Sequence, residues 1–130
     1  MNLVMKTIRF ATLSLSAVLA AGCASDRVVA PAEMRGGVMT DWSSHKTLYT
    51  YDKDPANPAR SACNAACAVK WPPFRPVEGD RAIRDFTIVE RDDGSPQWAY
   101  KGKPLYFFAG DRTAGDKDGD GVGGVWHAVK

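Results

Sequence analysis

Leu48-Tyr49-Thr50-Tyr51-Asp52-Lys53-Asp54 and Leu105-Tyr106-Phe107-Phe108-Ala109-Gly110-Asp111 share the pattern Leu-Tyr-x-aromatic-x-x-Asp, and this repetition decides the fold. A tryptophan follows each aspartate, Trp71 by 17 residues and Trp126 by 15. Alternation along a strand places Tyr49 with Tyr51, and Tyr106 with Phe108, on one face, which is expected to be core. Asp54 and Asp111 then fall just past the strand ends, where an Asx side chain caps the N–H groups of a turn.

Working outward, each copy reads as strand, turn, strand. Val38 to Asp41 leads through Ser43-Ser44-His45-Lys46 into Thr47 to Tyr51, whose β-branched and aromatic side chains suit a pleated surface. Gln97 to Tyr100 leads through Lys101-Gly102-Lys103-Pro104 into Leu105 to Phe108, with Gly102 supplying the positive φ of a tight hairpin. Phe86 to Arg91 adds a further strand before the turn Asp92-Asp93-Gly94. The expectation is a mainly β fold: a small antiparallel domain of two tandem hairpin repeats, about 38–78 and 86–130, with one short helix around Cys63 and Cys67. The many aromatic side chains invite either a carbohydrate platform or a core, and filling the core of a small β domain is the better account, since each buries about 150–250 Å².

The chain resembles a group of bacterial lipoproteins with a Yx(FWY)xxD motif, also described as a secreted repeat of unknown function. The likeness runs from about Gly37 to Lys130. Thr47 to Asp54, Ser61 to Ala68 with Trp71-Pro72-Pro73, Trp98 to Phe108, and Gly121 to Trp126 carry it. Such proteins often have a glycine-containing turn where this chain has Trp42-Ser43-Ser44-His45. The resemblance implies a location and an architecture, and no established activity.

Cys63 and Cys67 lie in an alanine-rich stretch stopped by Pro72-Pro73, which reads as a short helix. Their i, i+4 spacing puts both sulfurs on one face, and an oxidising compartment favours a disulfide. Closing so short a loop stabilises by ~2 kcal/mol on the chain-entropy model. A redox-active dithiol is the competing reading, although it usually takes Cys-x-x-Cys at a helix N-terminus.

Asp116, Asp118 and Asp120, followed by Gly121 and the carbonyl of Val122, match the first ligands of a Ca²⁺ loop, which supplies oxygens at alternate positions. His127 stands where the bidentate glutamate of an EF-hand belongs, so this is not an EF-hand. The segment reads either as a calcium site on a β scaffold, with Asp111 as a further carboxylate, or as an exposed loop built by Asp-Gly and Gly-Gly steps.

At the N-terminus, Lys6 and Arg9 precede a short apolar run, Phe10 to Leu19, in the order of a signal peptide. Leu19-Ala20-Ala21-Gly22-Cys23 resembles a lipobox. That resemblance implies cleavage after residue 22, diacylglyceryl and acyl groups such as palmitate on Cys23, and a membrane anchor. Ala24 after the cysteine favours the outer membrane facing the periplasm. Residues 23–37, with Pro31, Gly36 and Gly37 and no hydrophobic period, read as a flexible tether. Without the signal, 15 basic residues balance 15 acidic ones, which gives no basic surface for nucleic acid.

No catalytic constellation is visible, so the chain is expected to be no enzyme. The expectation is a lipid-anchored envelope module, binding or structural, whose partner is an unidentified envelope protein or cell-wall ligand. The alternatives are an envelope thiol/disulfide redox protein using Cys63 and Cys67, and a calcium-dependent surface-binding domain.

Overall fold

The computed structural model describes residues 28–130, so the expected signal segment, Cys23 and its immediate neighbours lie outside the described residues. Seven short strands and one short helix form the domain. They are β1 (Ala32–Arg35), β2 (Val38–Asp41), β3 (Tyr49–Tyr51), α1 (Ala66–Lys70), β4 (Phe86–Glu90), β5 (Pro96–Tyr100), β6 (Lys103–Pro104) and β7 (Trp126–Ala128). They make three small antiparallel sheets, β1-β2, β3-β7 and β4-β5-β6, which is the mainly β architecture expected.

One boundary moves. Residues 32–37 belong to the folded domain and not to a tether, because β1 pairs with β2 from Ala32↔Asp41 to Arg35↔Val38. Gly36 and Gly37, at φ +57° and +82°, make the two-residue turn between them. Their lack of a hydrophobic period reflects an edge strand only four residues long. Pairing with β2, and not amphipathicity, holds it in place.

The two copies of the motif are organised alike, yet each leans on the other. Val38 to Asp41 and Thr47 to Tyr51 meet through a bridge at Thr40↔Thr47 and the Leu48 N–H donating to Met39 O at 2.9 Å. The second copy repeats this with the Leu105 N–H donating to Trp98 O at 2.8 Å. His45, at φ +54°, takes the left-handed position that a glycine usually fills in such a turn. Asp41 holds that turn closed by accepting from both the N–H and the hydroxyl of Ser43 and of Ser44.

Beyond these hairpins the partners cross over. β3 pairs with β7 of the other repeat, Tyr51 lying opposite Trp126. The corresponding strand of the second copy runs beside Pro72 and Pro73 of the first, with the Phe107 N–H donating to Pro72 O at 2.8 Å. At the centre, Tyr49 and Tyr106 exchange both backbone hydrogen bonds, at 2.8 and 3.0 Å, on a pseudo-twofold axis. Alternation then sends Leu48 and Leu105 into one apolar cluster, with Phe74, Phe86 and Trp98, and sends Tyr49 and Tyr106 into a second, with Trp71 and Trp126.

Candidate functional site

The second cluster gathers the tyrosine and second aromatic of each motif copy with the tryptophan that follows it. Trp71 and Trp126 stack face to face across the pseudo-axis, their rings 3.9 Å apart and 2° from parallel. Tyr51 stacks on the outer side of Trp126 at 4.2 Å, and Phe108 covers Trp71 at 4.5 Å. The result is a column of four rings, Tyr51, Trp126, Trp71 and Phe108, in which each motif aromatic rests on the tryptophan of the other repeat. Tyr49 and Tyr106 close the column edge-on, at 5.4 Å from Trp71 and 5.1 Å from Trp126. Gly119 passes so close that a Cβ there would sit 2.9 Å from both Phe108 and Trp71.

The tyrosine hydroxyls cross in the same way. Tyr49 donates to the Asp111 carboxylate at 2.7 Å, and Tyr106 donates to Asp54 at 2.6 Å. Each aspartate uses its other oxygen to hold a loop, Asp54 accepting from the Ala62 N–H at 2.7 Å and Asp111 from the Asp118 N–H at 3.0 Å. The loop-capping role expected of these aspartates is therefore present. Their acceptance of a buried hydroxyl from the opposite repeat was not legible in the spacing. Burial pushes the Asp54 and Asp111 carboxyls above the ordinary 3.8, against the opposing pull of those same hydrogen bonds. Burial, reinforced by the facing carboxylates, drives both phenols far above 10.0.

Around Tyr106 the arrangement extends to groups the sequence did not single out. Arg91, only 4% exposed, donates to Ser61 Oγ at 3.0 Å, to Gln97 Oε1 at 2.7 Å and to the carbonyl of Cys63 at 2.7 Å. Ser61 lies 2.7 Å from the Tyr106 hydroxyl. With Tyr106 donating to Asp54, Ser61 donates to Tyr106, so two hydroxyls link the guanidinium to the carboxylate. Burying a charge costs less when it is hydrogen-bonded, and this chain of hydroxyls couples the two ions without direct contact, although Arg91 Nε itself has no partner. Nothing in the turn-flanked Arg91-Asp92-Asp93-Gly94 distinguishes Arg91 from a surface cation.

Cys63 and Cys67 form the expected disulfide, but they do not share a helix face: Cys67 lies in the first turn of α1, and Cys63 precedes the helix across Ala65 at φ +51°. Cys63 is fully buried against the ring column, and its carbonyl is the one that Arg91 grips.

The aspartate loop does not converge on a cation. Asp116 turns onto the N–H groups of Arg112 and Thr113 and the Thr113 hydroxyl. Asp120 accepts from the Ala128 N–H at 2.9 Å and faces Lys130 at 3.0 Å. Asp118 contributes its backbone N–H to Asp111, and the carbonyl of Val122 accepts from the Val125 N–H. Among the described residues no three His, Cys, Asp or Glu side chains stand close enough to hold a metal ion. In this arrangement the oxygens of Asp116, Asp120 and Val122 are each turned to a separate partner, and Asp116, Asp118, Asp120 and Val122 are not gathered around one point. The alternation reflects separate loop-fastening roles.

A duplicated motif that closes only by crossing defines a class, a pseudo-symmetric β module built from two interlocked repeats. Residues 36–75 and 87–130 each match a family described as a secreted repeat of unknown function, and the chain belongs to that family. Its description places the chain in the envelope or outside the cell. Neither the curated proteins nor the solved structures contain a match to it.

Proposed function

We propose that the protein is a lipid-anchored cell-envelope module with a binding or structural role, held at the membrane through acyl groups on Cys23. The observation that carries the non-catalytic part is the use made of the motif. Tyr49, Tyr106, Asp54 and Asp111 are occupied with one another and with loop backbone, so the repeated residues act as the joint between two halves of a scaffold. The anchor rests on the lipobox-like Leu19-Ala20-Ala21-Gly22-Cys23, and the secreted character of the family supports export. Ala24 favours the outer membrane, facing the periplasm. The partner on this reading is another envelope protein or a cell-wall ligand.

Mass spectrometry of the N-terminal peptide from the membrane fraction tests the anchor. The expected result is a chain beginning at Cys23 with the sulfur diacylglycerated. A free thiol at Cys23, or a chain beginning elsewhere, sinks the reading. The Cys23→Ser variant should leave the membrane fraction, since two or more acyl chains are needed for a stable anchor.

A further inference from the structure

Of the four tryptophans, Trp71, Trp98 and Trp126 are buried and Trp42 is 55% exposed. Trp42 stands on the rim of an open groove of about 500 Å³, whose apolar floor includes Phe74 and Phe107. Val77, 73% exposed, and Val29, 60% exposed, line the same groove, and Val28 beside it is also exposed. Large apolar side chains gathered on one edge of a small domain mark an interaction surface. The position of this edge indicates what covers it. The described chain begins there, with the Trp42 N–H donating to Pro31 O at 3.0 Å. Four residues, 24–27, separate Val28 from Cys23. Even fully extended, that segment lets the cysteine sit no more than roughly 18 Å away.

We infer that the groove edge bearing Val28, Val29, Trp42 and Val77 seats the domain on the lipid surface to which Cys23 anchors it. This rests on the anchored reading above. A tryptophan with an apolar body and an indole N–H suits the headgroup boundary, where one end is apolar and the other wet. The charges on the groove fit a neutral interface. Asp41 is turned onto Ser43 and Ser44, Asp80 accepts from the Val77 N–H, and Arg75 is the one cation in the lining. The contact is therefore apolar and indifferent to the anionic lipid content of the membrane.

The lipidated protein, reconstituted in phosphatidylcholine vesicles containing lipid brominated near the headgroup end of its chains, tests this through tryptophan fluorescence. The expected result is quenching of part of the emission, lost in Trp42→Phe and unchanged when a third of the lipid is anionic. Vesicle-bound protein whose emission bromine leaves unaltered overturns the proposal and assigns the groove to a protein partner. Quenching that survives Trp42→Phe also overturns it. The intact mass of the same preparation reads Cys23 acylation separately: acylated protein with an unquenched Trp42 refutes only the seating, and an unacylated Cys23 refutes the anchor as well.

Discussion

Replacing Tyr106 by Phe removes one oxygen atom from the centre of the domain and should cost far more than its size suggests. That oxygen donates to Asp54 at 2.6 Å and lies 2.7 Å from Ser61 Oγ, and both partners are buried. A hydrogen bond to a charged group contributes about 1.5–3 kcal/mol, and an unsatisfied buried partner adds its own desolvation cost. A loss of about 2.5 kcal/mol is expected. With a urea m-value of about 1.3 kcal/mol/M, the unfolding midpoint should fall by roughly 2 M. Tyr49→Phe should cost less, because its oxygen serves Asp111 at 2.7 Å and only a 3.3 Å contact from the Gly119 N–H. A double-mutant cycle reads the crossing itself. Tyr106→Phe with Asp54→Asn should show a coupling of at least about 1 kcal/mol, and Tyr106→Phe with Asp111→Asn should be additive within about 0.5 kcal/mol. Coupling to the aspartate of its own repeat, or to neither, would refute the interlocked arrangement.

Gly119→Ala should destabilise by about 1–3 kcal/mol through overpacking against Phe108 and Trp71, measured by thermal or urea unfolding. The raised Tyr49 and Tyr106 phenols mean that the folded chain keeps protons the unfolded chain releases, so their contribution is full below about pH 10 and is lost as pH rises further. Urea midpoints should hold level up to about pH 10 and fall above it, less steeply in Tyr49→Phe or Tyr106→Phe. Because Cys63 is buried against the ring column, its disulfide with Cys67 should behave as structural, with a reduction potential below about −300 mV in glutathione or dithiothreitol buffers. A value near that of the envelope oxidants would instead favour a redox role. Millimolar Ca²⁺ should leave the melting temperature unchanged, since Asp116 and Asp120 already bind backbone and Lys130; a rise abolished by chelator would establish the calcium site.

The duplicated Leu-Tyr-x-aromatic-x-x-Asp announced a two-repeat β domain, and alternation placed Tyr49 and Tyr106 in the core, because strand periodicity is local and visible. Which repeat each residue would meet was not visible. Tyr49 and Asp111 are 62 positions apart, and no local pattern distinguishes a bond within a repeat from one between repeats. The arrangement of the aspartate loop was hidden for a related reason. Alternate carboxylates describe ligands only when the backbone curls to aim them inward, and here the turn at Thr113 and the strand ending at Ala128 draw Asp116 and Asp120 to separate tasks. The strand Ala32–Arg35 was missed because hairpin pairing across Gly36-Gly37, and not side-chain pattern, creates it.

The crossed joint also governs when the chain can fold. A polypeptide that emerges N-terminus first exposes Tyr49, Tyr51 and Trp71 long before Asp111, Trp126 and Phe108 arrive, so the ring column cannot close until the second repeat is present. Long-range contacts of this kind slow folding. For a secreted chain that delay leaves an aromatic-rich half exposed to aggregation whenever synthesis stops short.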